Sequence, residues 1–278
     1  MDSGNIGFVL LCAAFVFVMT PGLAMFYGGL VRKKNVVNTM MTSIFIIGVG
    51  IVMWVLFGYS LSFAPSGNAF IGDFRWLGLE GVSLTEGYTD AASIPNMVFS
   101  AFQMMFAVIT PALITGAVAG RMKFKSIFVF TIFWSLIVYY PLAHMVWGQG
   151  GLLGADGIGA LDCAGGYVVH ISSGVSALVL CILLGKRHDY EHSIYRIHNI
   201  PTVVLGASLL MFGWFGFNAG SALAADGLAA HAFMTTGVSA AAAMLSWMLC
   251  DVVKNKKPTL IGASTGTVSY THLTLPTT

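Results

Sequence analysis

The residues best suited to chemistry are imidazole, aromatic and hydroxyl groups embedded in apolar sequence. His170 closes the run Gly165-Gly166-Tyr167-Val168-Val169-His170, and an ionisable side chain in such a setting is costly enough to need a reason. It serves either as an interhelical hydrogen bond or as a pore-lining imidazole, neutral and able to donate or accept a hydrogen bond. Gly166 and Gly174, about one helical turn to either side, leave room on the same face. Phe217 and Ser221 stand four residues apart and share one helix face. Trp147 is either a belt residue at a membrane interface or a cation-binding indole, and Ser221 either bonds back to its helix or offers an acceptor. With Phe106, these groups suit a small cation that must shed water, because a desolvated cation over an aromatic face gains about 0.5–2 kcal/mol. Asp162, just before Gly165-Gly166, is either an N-terminal helix cap or a cation ligand. His144, three residues before Trp147, reads as a packed polar group.

Other chemistries find little support. The chain has no nucleotide-binding loop, nucleophile triad, paired carboxylates, cofactor motif or nucleic-acid patch. His188 and His192 have an i, i+4 spacing but fall in a charged loop, and no pair of the four cysteines has metal-ligand spacing.

The elements that must position these side chains are transmembrane helices. Of 278 residues, 57% are hydrophobic and only 9% charged, where a soluble domain carries roughly 25% charged residues. Apolar stretches at approximately 6–31, 36–63, 95–120, 124–147, 164–185, 199–221 and 229–250 are each long enough to span a bilayer, which takes about 20 residues. Short alternating segments of the β-barrel kind are absent. The expected fold is an all-α polytopic bundle. Basic residues confirm the number of spans independently. Arg32, Lys33 and Lys34 follow span 1, and Arg121, Lys123 and Lys125 follow span 3. Lys186, Arg187 and Arg196 follow span 5, and Lys254, Lys256 and Lys257 follow span 7, leaving Arg75 as the exception. The positive-inside rule puts these clusters in the cytoplasm and the N-terminus outside. Span 1 lacks a basic n-region and is too long for a signal peptide, so it is read as a retained helix.

This topology brings the candidate residues to one level near the outer face. Spans 4 and 6 run outward and end near Trp147 and Ser221; span 5 runs inward, with His170 about two turns below its outer end. Span 3 places Phe106 about three turns below Pro95. Two GxxxG pairs, Gly116/Gly120 and Gly216/Gly220, and the run Ala240 to Ala243 predict close helix packing. An eighth apolar run starts at Thr259, but the segment from Ser269 to Thr278 is too polar and short to finish a span. The expectation is one membrane domain over 1–268 and a non-native or cut-short tail over 269–278.

The strings around these residues strongly resemble the ammonium transporter (Amt) branch of the Amt/Rh family over approximately 5–267. They include Thr20-Pro21-Gly22 with Phe26-Tyr27-Gly28-Gly29-Leu30-Val31-Arg32, Phe102-Gln103 with Phe106-Ala107, and Ala143-His144-Met145-Val146-Trp147-Gly148. Leu161-Asp162 with Ala164-Gly165-Gly166 and Val168-Val169-His170 follow, then Trp214-Phe215-Gly216-Phe217-Asn218-Ala219-Gly220-Ser221. The resemblance implies trimers of eleven-helix protomers in the cell membrane, each with a pore between two inverted five-helix repeats, here the first repeat and part of the second. It implies an external ammonium recruitment site of Phe106, Trp147 and Ser221, organised by Asp162. Phe106 and Phe217 would be a stacked gate, and His170 the first of two pore histidines, the second lying on a later helix. Ammonium would be bound, deprotonated and carried as ammonia, and a cytoplasmic PII-type nitrogen-regulatory protein is an implied partner. Two alternatives stand beside this reading: an ammonium sensor built on the same fold, and an unrelated secondary transporter for small solutes.

Overall fold

The structure, a computed structural model, describes residues 1–65, 68–155, 157–187, 190 and 196–269. Among these residues, seven helices are long and apolar enough to cross a membrane. They are α1 (Ser3–Leu30), α2 (Lys33–Phe63), α3 (Asn96–Val118), α4 (Phe124–Trp147), α5 (Gly166–Leu184), α6 (Ile200–Gly220) and α7 (Gly227–Asn255), followed by a short α8 (Leu260–Val268). The spans read from hydropathy agree within a few residues, the largest difference being five residues at the end of α7. There the helix continues through Lys254, whose long stem lets a charge extend a helix past the apolar core.

The ends of the helices are tied in an alternating pattern. Near the start of α1, Asp2 N–H donates to the Ser93 carbonyl, and Asn5 donates to Ser93 Oγ while accepting from Ala225 N–H. At the far end, His198 and Asn199 N–H groups donate to the Val31 and Gly29 carbonyls, and Arg121 donates to the Gly185 carbonyl. The start of α1 therefore shares one end of the bundle with the loops before α3 and α7, and the basic turns after α1, α3 and α5 share the other. Arg75, the exceptional basic residue, is paired with Asp73 at 3.0 Å in the long loop between α2 and α3.

α3 is the hub, with 72% of its apolar window buried, whereas α5 and α7 are only 22% and 11% buried. α1 packs along much of α6, and small residues allow it. A methyl group added at Gly206 of α6 would lie 2.3 Å from Phe26 N, and one at Gly29 of α1 would lie 2.7 Å from Val203 N. Gly216 and Gly220 face Phe15 and Cys12 of α1 in the same way, as the GxxxG spacing predicted. The second pair behaves differently. Gly116 faces the Tyr27 ring, but Gly120 lies beyond the end of α3 with φ +72°, where it turns the chain in a conformation few side chains tolerate. Ala240 is buried, and Gly266 of α8 sits on the Ala243 carbonyl of α7.

Three helices carry π turns, at Trp54–Gly58, Ser135–Tyr139 and Gly166–Ile171. Such turns are rare and concentrate at functional sites. The first packs against the helical turn that follows the second: an added methyl at Gly58 would lie 2.7 Å from the Tyr140 ring. The third opens α5 directly beneath the candidate site.

Candidate functional site

A cavity of about 650 Å³ opens at the loop-rich end of the bundle. Its α3 wall is the stripe Phe99, Gln103 and Phe106, which the helical repeat places on one face. Trp147 ends α4, Asp162 and Cys163 precede α5, and Ser221 follows α6, so three helix ends meet there.

Trp147 and Phe106 meet edge to face, with ring centroids 6.1 Å apart at 78°. The indole is held from behind, because Trp147 Nε1 donates to the Asp162 carbonyl at 2.8 Å. The Asp162 side chain does the work of a helix cap on an unusual scale. Oδ1 accepts from the N–H groups of Gly165 and Gly166 at 2.6 and 2.7 Å, and Oδ2 from Tyr167 and Val168 at 2.8 and 3.2 Å. An ionised carboxylate offers about four lone-pair directions. All are taken by backbone, which is the geometry of the capping reading. Gly165, with φ +92°, makes the bend that turns these N–H groups toward one carboxylate.

Ser221 Oγ donates to the Phe217 carbonyl at 2.8 Å, leaving its lone pairs as acceptors toward the cavity it lines. The Phe106 and Phe217 rings, the pair expected to form a stacked gate, are both buried with centroids 4.5 Å apart, tilted at 54°. Beyond them lies a second cavity of about 60 Å³, lined by Met19, Leu23, Ile109, Leu113, His170 and Trp214 among others, with room for a few water-sized molecules. The His170 ring lies 5.9 Å from Phe217 and 6.0 Å from Trp214, nearly parallel to the indole at 20°. Phe106 thus lines the wide cavity, Phe217 the narrow one, and their contact divides the two.

Of the residues singled out by sequence, Phe106, Trp147, Ser221, Asp162, Phe217 and His170 converge here. His144 stands apart, buried behind α4 with Nδ1 3.2 Å from the Ser62 carbonyl and Nε2 3.0 Å from that of Asn68. It anchors the loop after α2 as a packed polar group. His188 and His192 lie outside the described residues. Gly174 has open space above it, but on an exposed outer face of α5.

Residues that sequence reasoning did not single out complete the rim. Tyr88 stacks on Phe99 at 4.7 Å, and Gln149 donates to it twice, from Nε2 to the Tyr88 carbonyl and from the backbone N–H to the hydroxyl. Burial pushes the Tyr88 hydroxyl up to about 12, against the opposing donation from Gln149, so it stays neutral. Burial, with the Asp162 charge nearby, likewise raises the Cys163 thiol above its ordinary value. Gln103 had a legible signal, its i, i+3 spacing to Phe106.

Seven apolar helices among the described residues, enclosing one wide and one narrow cavity, define the class as a multi-pass membrane protein. Residues 7–270 match the model of the Ammonium Transporter Family, and the chain belongs to that family. It is 51% identical over 270 residues to the ammonium transporter of Bacillus subtilis, covering 97% of this chain and 65% of that protein. The crystal structure of Saccharomyces cerevisiae Mep2 superposes with a TM-score of 0.86 at 36% identity, over 96% of this chain and 59% of that one. A structure described as a Sensor Amt Protein matches with a TM-score of 0.81 at 26% identity, over 96% of this chain and 68% of that one. The chain thus spans about three-fifths to two-thirds of the length of these relatives.

Proposed function

We propose that this chain supplies the recruitment side of an ammonium-conducting pore. The observation that carries the reading is the Phe106–Phe217 contact between a wide polar-rimmed cavity and a narrow apolar one holding a single imidazole. Ammonium would sit against the Trp147 and Phe106 faces and donate a hydrogen bond to Ser221 Oγ, exchanging water for an aromatic cage. A bare charge in the apolar chamber is costly. The ion would therefore give a proton back to the water of the wide cavity at the aromatic contact, and neutral ammonia would cross past His170, which exchanges one hydrogen bond with it. Asp162 would act by holding Trp147 and the start of α5 in place. The positive-inside rule puts the wide cavity outside the cell membrane, opposite the basic turns. We extend the reading to one membrane domain over 1–268, to a homotrimer, and to a PII-type regulatory partner at the basic end; these rest on family membership.

Methylammonium uptake by the full-length gene product, in cells lacking their own transporters, tests the proposal. Saturable uptake is expected, with His170→Ala lowering it about tenfold, the loss of one hydrogen bond of about 1.4 kcal/mol. The likeness to a sensor protein favours a second reading, in which the same pore fold controls a signalling partner. Normal membrane expression without uptake would select it, and His170→Ala would then alter signalling instead of flux.

A further inference from the structure

Gln103 has a place in the site that the recruitment residues leave unfilled. It lies on α3 one turn toward the loop-rich end from Phe106 and lines the wide cavity between Phe99 and Phe106. The side chain is 8% exposed, and its Oε1 is closed to solvent with no hydrogen-bond partner among the described residues. Buried amide oxygens are almost always satisfied, so an orphan at a binding cavity calls for a partner that is not part of the protein. The neighbourhood says what kind. Phe99, Phe106 and Trp147 supply faces that attract cations and repel anions. The Asp162 carboxylate is fully engaged by backbone. Ser221 then offers a single hydroxyl oxygen to an ion with four N–H donors. The terminal torsion of glutamine is broad and two-fold, so Oε1 can turn from the wall into the cavity without disturbing the helix.

We propose that Gln103 is a second hydrogen-bond acceptor for the ion, opposite Ser221, and that it sets the preference for ammonium over alkylated ammonium. The inference rests on the ammonium-pore reading. An ion with four N–H groups fills both acceptors in any orientation and still keeps two toward water, whereas methylammonium, with three, fills both only with its methyl group held away from them and keeps one. Gln103 therefore favours the ion richest in N–H groups, whereas the aromatic faces, which attract any small cation, do not discriminate.

The test compares ammonium and methylammonium in the full-length protein. Gln103→Leu, which keeps the volume and removes the acceptor, should raise the apparent KM for ammonium about tenfold, the loss of one hydrogen bond to a charge. Maximal rate should hold, and methylammonium KM should rise less, so that selectivity narrows. Gln103→Glu, which keeps an acceptor, should retain the preference. Equal changes for both ions, or none, would overturn the proposal. In the unaltered protein, the Gln103 side-chain amide resonance should move on adding ammonium chloride and stay still with sodium chloride. No movement would overturn the proposal even if the variants failed to fold. A moving amide without uptake by the unaltered protein would instead count against transport and leave the acceptor role standing.

Discussion

At the residue scale, the candidate site depends on a carboxylate engaged by backbone. Asp162 collects four backbone N–H groups and presents its own carbonyl to the Trp147 indole. Asp162→Ala would leave those donors unpaired at a rim closed to water on one side. The expected cost is about 3 kcal/mol or more, since hydrogen bonds to charged groups contribute about 1.5–3 kcal/mol each and the outermost can rehydrate. Thermal unfolding in detergent, with Trp147 emission as a second readout, checks this; an unchanged transition would remove Asp162 from the positioning role. Cys163, next in sequence, gives a pH signature. The reactive form of a thiol is the anion, and burial near the Asp162 charge disfavours it. Alkylation of Cys163 should therefore be slow near neutrality and rise with pH later than for an ordinary thiol. A midpoint at or below the ordinary value would contradict this environment.

At the element scale, the crossing of α1 and α6 holds the walls of the narrow cavity. Gly206 admits the Phe26 backbone so closely that Gly206→Ala must part the two helices. Overpacking of this kind typically costs 1–3 kcal/mol, and the expected result is a lower unfolding temperature with ammonium affinity retained in the protein that remains folded. The same scale shows why sequence reading went so far and stopped. Long apolar runs and basic turns expose helix number and direction directly, because the bilayer and the charge rule act on composition. They do not expose winding. The helices are apolar all round, so no stripe distinguishes a π turn at 166–171 from an α turn, and the widened turn that lets one carboxylate reach four N–H groups had no signature. Gly120 looked like half of a packing pair and proved to be a helix stop, since spacing alone does not reveal φ. Gln103 shows its i, i+3 spacing to Phe106 in the sequence, but an amide in an apolar run becomes informative only when its partners can be counted.

At the scale of the whole molecule, the structure is a bundle around α3 with two lightly buried members, α5 and α7. The basic turns gather at one end and the wide cavity at the other, so the orientation has a simple check. A membrane-impermeant maleimide applied to intact cells at raised pH should label Cys163, which reaches the surface of the rim although its thiol is partly shielded from water; protection until the membrane is opened would invert the proposed topology. In the proposed function, ion recruitment, proton release and ammonia passage form one chain of events across the Phe106–Phe217 contact, and flux through purified protein is its most direct measure. Full-length protein in liposomes, carrying an internal pH dye and given an ammonium gradient, should show a saturable signal above that of empty vesicles. Removing the cage and the acceptor together, by Trp147→Leu with Ser221→Ala, should abolish saturation. A signal equal to that of empty vesicles, or one indifferent to the double change, would contradict the account.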